Sequence, residues 1–138
     1  MITWLIDTAL LRAINTPRAI KVRVWAETNR AELYLSSASL AEIARAIAKT
    51  PASQPSRREA LRVWLDNVTS GFGDRVIGID AEIALCAGPL IEKLAHSHGR
   101  HRLHDAILVA TAQVRGHGLL TRRDATFGSW TGIPIATP

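Results

Sequence analysis

Residues 2–11 read ITWLIDTALL, and Asp7 is the only charge among them. Apolar residues flank it on both sides, so a carboxylate has been set into a stretch that would otherwise be buried throughout, where it needs a partner. The first half, Ile2 to Ile6, is a run of β-formers, and the same kind of run returns at Leu33–Leu35, Val76–Ile79, Gly118–Leu120 and Ile133–Ala136. Helical spacing fills the intervals. Leu40, Ile43, Ala44 and Ile47 fall at i, i+3, i+4 and i+7, as do Leu61, Trp64, Leu65 and Val68, and Leu103, Ala106, Ile107, Ala110 and Val114 extend the rule. Strand followed by helix, repeated, predicts an α/β fold of three layers, a mostly parallel central sheet flanked by helices.

The ends of the expected strands are polar. Ile2–Ile6 ends at Asp7, Leu33–Leu35 at Ser36 and Ser37, Val76–Ile79 at Asp80, and Gly118–Leu120 at Thr121. Open parallel sheets bind ligands beyond the carboxyl ends of their strands. Asp7 is therefore expected at a site and not in the middle of a core.

The 138 residues suit one domain spanning 1–138, and 47% hydrophobic with 21% charged residues is the composition of a globular protein. No apolar run is long enough to cross a bilayer, and the N-terminus lacks the cationic start and apolar centre of a signal peptide, which predicts a cytoplasmic protein. Cys86, the single cysteine, sits in IALCA as a small core residue would and can form no internal disulfide. The formal net charge is +5, and fourteen of the seventeen basic residues are arginine. Arginine's planar fork suits phosphate, so the balance leans toward a polyanion, with solubility as the plainer explanation. Residues 49–59, KTPASQPSRRE, form the most loop-like stretch, where Pro51 and Pro55 break helix and Ser56 is a candidate cap. Pro89 should break or kink the helix from Ala81 to Ala95 near Gly88.

Three carboxylates stand at a strand mouth or in a first helical turn: Asp7, Glu42 in SASLAEIARAI, and Asp105 in RLHDAILVATA. Asp124 follows the last substantial strand. Converging carboxylates repel unless a cation sits among them, and the hard divalent ion suited to oxygen ligands is magnesium. Each acid also has a local structural explanation. Ser39 and Glu42 have the spacing of a capping box, Asp7 and Asp105 could cap helices, and Asp124 could serve a turn. Their joint placement favours a site. A second Asp two residues after Asp7, which a haloacid dehalogenase needs, is absent, since Ala9 stands there. So are the adjacent acidic pair of a receiver domain, the phosphate loop of a nucleoside triphosphatase and a Gly-rich dinucleotide turn.

WLIDTALL, ELYLSSASLAEIARAIAK, DRVIGIDAEIA, HDAILVATAQVRGHGLLTRR and TGIPIATP, in this order and spacing, resemble the PIN domain and within it the VapC-type ribonuclease toxins of toxin–antitoxin pairs. The resemblance implies that Asp7, Glu42 and Asp105 are metal-binding acids, with Asp124 as the match for a fourth. It implies a cofactor of Mg2+ or Mn2+, and a metal-assisted hydrolysis of RNA phosphodiester bonds that needs no protein nucleophile. Arg12, Arg102, Arg122 and Arg123 would hold the RNA backbone, Thr8 and Thr121 would support the acids, and Trp130 would stack on a base. Trp4 and Trp64 fit core positions. A cognate antitoxin and a homodimer are the implied partners.

The chain departs from the family's pattern in three places. Arg123 stands where relatives carry Asn, Thr126 where an Asp precedes Phe127, and Ala9 where Asn is common. These departures motivate a second reading, a catalytically weak PIN-like module that binds RNA or protein. A third comes from His96, His98, His101 and His104, whose close spacing suits zinc, although Arg100 and Arg102 among them would repel it. A solvated loop leading into the Asp105 helix is the plainer account.

Overall fold

A computed structural model describes residues 2–13, 19–94, 99, 102–123, 127 and 132–138. Five parallel strands form the centre in the order β3-β2-β1-β4-β5: β1 Thr3–Ile6, β2 Glu32–Ser36, β3 Val76–Ile77, β4 Gly118–Leu120 and β5 Ile135–Ala136. The helices are α1 Thr8–Ala13, α2 Ala19–Thr28, α3 Ser37–Ala48, α4 Pro55–Phe72, α5 Ala81–Lys93 and α6 Arg102–Arg115. The expected α/β architecture is observed. Among the described residues no helix is long and apolar enough to cross a membrane.

Alternation along the strands separates two cores. Trp4, Ile6, Leu35 and Leu120 face α1, α2 and α3 and pack with Leu10, Leu11, Val22, Ile43 and Ile47. Leu5 and Leu119 point the other way, onto Leu108, Val109 and Ala112 of α6 and onto Phe127. Ile83 and Ala87 of α5 then join Ala110 behind α6. Trp4 lies across the start of β4, where a side chain at Gly118 would come within 2.6 Å of the Trp4 ring. Only glycine fits there.

After α1 and α2 the chain adds β2 and then β3 on one side of β1, covered by helices on one face. After α5 and α6 it returns to add β4 on the other side of β1, with the helices on the opposite face. The strand order thus reverses between β1 and β4, and such a switch point opens a crevice at the carboxyl ends of the two strands. Asp7 and Thr121 are the first residues past those ends.

Several local expectations change. Ser56 does not cap α4: Pro55 occupies the first turn, where its missing N–H costs nothing, and Gln54 precedes it without a side-chain cap. The loop-like stretch is therefore already helical from Pro55. Pro89 does not end α5, which runs through it to Lys93. Pro89 removes the N–H that would have met the Leu85 carbonyl, on an exposed turn of the helix. β3 stops at Ile77, two residues short of the apolar run. Cys86 is only half-buried, its thiol 3.5 Å from the Gln113 carboxamide. Helix α2 carries no clear stripe, with Val22 its only fully buried residue, which is why periodicity does not announce it.

Candidate active site

Asp7 sits at the switch point with 2% exposure. Its N–H donates to Leu120 O at 2.9 Å, which fastens it to β4. One carboxylate oxygen accepts the Thr121 hydroxyl at 2.6 Å, and the other accepts the Ala9 N–H at 3.3 Å as α1 begins. The capping expectation for Asp7 is met at the start of α1, while Thr121 holds the other oxygen. Thr121 is itself held: its N–H donates to Ala136 O, and its carbonyl accepts the Thr137 hydroxyl.

Glu42 reaches the crevice from α3. The capping box expected of Ser39 and Glu42 is overturned, because α3 starts earlier: Ser36 is the cap, in an extended conformation, and accepts the Ala38 N–H at 3.1 Å. Ser39 lies inside the helix, fully buried, with its hydroxyl 2.6 Å from Thr8 Oγ1. Glu42 is left with no capping duty. Its Oε2 is shielded from solvent and makes no hydrogen bond. His104 Nε2 lies 3.1 Å from it, a charge pair when the imidazole is protonated, and 2.7 Å from Thr8 Oγ1. A solvent-shielded carboxylate oxygen without a donor is costly unless a cation meets it.

Asp105 projects from the first turn of α6 and is fully buried. Arg123 grips both its oxygens, Nη1 donating at 2.9 Å and Nη2 at 2.7 Å, while the guanidinium lies 5.0 Å from the Phe127 ring centroid. The hydrogen bond that Arg123 donates to Asp105 raises the Arg123 pKa further, burial opposes this, and the charges of Asp105, Asp7 and Glu42 add to the rise. Asp105 is the acid that contacts this guanidinium. Among the described residues no three Asp, Glu, His or Cys side chains are grouped tightly enough, as they stand, to share one ion.

Beside the acids runs a groove of about 840 Å³ lined by Arg12, Glu42, Arg45, Lys49, His104 and apolar side chains that include Ile79, Leu103 and Ile107. Arg12 lies where a substrate-holding arginine was expected. Arg102 and Arg122 do not line the groove, and Arg123 faces Asp105. Arg45 and Lys49 were missed, although they follow Glu42 at i+3 and i+7 on the same helical face. Asp124, Thr126, His96, His98, His101 and Trp130 lie outside the described residues.

An acidic crevice at the switch point of a parallel sheet, edged by a basic groove, defines a candidate hydrolase of polyanions. The family model of the PIN domain matches residues 5–129, and the chain belongs to that family. No curated protein matches the chain. Among solved structures, the DNA-bound VapBC of Salmonella typhimurium contains a chain 26% identical, with TM-score 0.68 over 99% of this chain and 98% of that one. A chain of FitAcB from Neisseria gonorrhoeae is 21% identical, with TM-score 0.74 over 96% and 95%. A chain of VapBC2 from Rickettsia felis, bound to a promoter DNA fragment, is 17% identical with TM-score 0.74 over 99% of both chains.

Proposed function

We infer that the protein is a VapC-like toxin, an endoribonuclease that hydrolyses RNA phosphodiester bonds and is neutralised by a cognate antitoxin. Membership of the PIN-domain family supports the nuclease activity, and the toxin–antitoxin complexes among the structural neighbours support the antitoxin partner. The observation that carries the catalytic reading is the burial of Asp7 at the switch point and of Asp105 against Arg123 just past β4, with Glu42 lining the groove beside them. Glu42 Oε2, shielded and without a donor, fits a metal as the missing partner.

Asp7, Glu42 and Asp105 would hold the metal, with Asp124 as the fourth acid. Magnesium or manganese bound there would supply an activated water and offset charge on the phosphate. The chain's own part is positioning. The Thr121 hydroxyl fixes one Asp7 oxygen and leaves its other lone pairs free to coordinate. Thr8 Oγ1 and Glu42 Oε2 both lie within reach of His104 Nε2, at 2.7 and 3.1 Å, so Thr8 shares the imidazole with that carboxylate. Arg12, Arg45 and Lys49 line one path beside the acids, where successive RNA phosphates would lie, and Leu103, Ile79 and Ile107 give bases an apolar surface.

The test is cleavage of mixed cellular RNA by metal-stripped protein with Mg2+ or Mn2+ restored, beside Asp7→Asn. Cleavage that requires metal and falls by more than about a hundredfold in the variant is the expected result. RNA binding by both proteins with no metal-dependent cleavage by either would favour the binding-module reading instead.

A further inference from the structure

Arg123 does for the acids what a bound cation would do. It closes a bidentate pair with the fully buried Asp105 while Asp7 and Glu42 act on it from a distance. Its backbone is fixed as well, because the Arg123 N–H donates at 2.9 Å to the Thr121 hydroxyl oxygen whose proton goes to Asp7. One residue thus ties Asp105 on α6 to the Asp7–Thr121 pair across β1 and β4. The side chain is not enclosed: it keeps 31% exposure, so it can leave Asp105 by rotating its own bonds with the backbone unmoved.

We propose that Arg123 is a built-in counter-cation that holds Asp105 in the metal-free protein and must be displaced from it before a divalent ion can bind. This rests on the metal-site reading above. Guanidinium stays charged at any working pH, so its own deprotonation cannot release the grip, whereas a cation competing for Asp105 can. Removing Arg123 takes the bidentate pair from the buried carboxylate, so the residue stabilises the empty site and opposes its filling with the same contacts. The observed metal affinity is then the intrinsic affinity reduced by the fraction of molecules in which Asp105 is free.

Calorimetric titration of Mn2+ into metal-stripped wild-type protein, Arg123→Ala, Arg123→Gln and Arg62→Ala tests this. Both Arg123 variants should bind Mn2+ about tenfold more tightly than wild type. Arg62→Ala removes the same charge from an exposed pair with Glu59 and should bind as wild type does. Without metal, Arg123→Ala should melt lower than wild type, and added Mn2+ should raise its melting temperature by more. If that variant does not fold without metal, Arg123→Gln, which keeps an amide donor for Asp105, carries the measurement. Equal or weaker Mn2+ binding by both Arg123 variants overturns the proposal, and so does an equal gain in Arg62→Ala, which would make the effect one of general charge. If Mn2+ binds none of the four proteins, wild type included, the metal-site reading itself falls and takes this proposal with it.

Discussion

The two ends of the central sheet both bury polar groups, but they treat them differently. At the amino end His117 is 8% exposed, with Nδ1 2.5 Å from Thr3 Oγ1, its ring stacked 4.4 Å from Tyr34, and its N–H donated to Ala112 O. Gly116 at φ 73° precedes it, so the same backbone closes α6 in a left-handed cap. At the carboxyl end Asp105 is paired with Arg123, and Glu42 Oε2, shielded from solvent, makes no hydrogen bond. A polar cluster whose members answer one another needs nothing more. One that leaves a shielded carboxylate oxygen without a hydrogen bond has room for a further partner, which the metal proposed above would supply.

The contrast can be broken most forcibly at Glu42. Glu42→Gln should lower metal-dependent RNA cleavage by at least about a hundredfold. Its metal-free melting temperature should stay close to wild type, because the amide keeps the shape of the side chain and Glu42 Oε2 makes no hydrogen bond to lose. A large loss of stability would instead make Glu42 a structural residue and erase the difference between the two ends.

His117→Gln probes the satisfied end and should do the reverse. Stability should drop by about 1 kcal/mol with the hydrogen bond and ring stacking gone, while cleavage stays at the wild-type level. Burial holds the His117 pKa below the ordinary imidazole value, with Glu32 opposing and Arg115 adding to the shift. The folded protein therefore releases its proton more readily than the unfolded chain, whose imidazole titrates near 6.5. That part of the stability is complete above the unfolded value and is lost as pH falls through the lower folded one. Denaturant midpoints across this range should show the slope in wild type, reduced in the variant.

The smallest effect is expected in the groove. Lys49→Ala should weaken RNA binding about threefold and shallow the log–log salt dependence by about one unit, with Mn2+ affinity unchanged. A change in Mn2+ affinity would place Lys49 in the acidic cluster and not on the path beside it.

Asp7 was legible because a charge breaks an apolar run at a strand end, and the parallel sheet was legible because strand and helix periods alternate. The start of α3 was not. Ser36, Ser37 and Ser39 all have capping chemistry, and Ser39-x-x-Glu42 has the right spacing for a box. The choice was made by Thr8, which takes the Ser39 hydroxyl from 31 residues away. Arg45 and Lys49 could have been found by following Glu42 down its own helical face. The grip of Arg123 on Asp105 joins two elements through tertiary packing, and no local pattern encodes it. Pro89 does not end its helix, because a proline removes a single intrahelical hydrogen bond and the turns on either side of it hold.

The bond from Thr121 to Asp7 spans 114 residues, one of the longest separations in the molecule. During synthesis Asp7 leaves the ribosome early and must wait for α6, β4 and Arg123 before any of its distant neighbours exists. A nascent chain shorter than 123 residues holds a scattered set of acids and no site. On the nuclease reading proposed above, activity cannot precede the synthesis of Thr121 and Arg123, which fix Asp7 and Asp105.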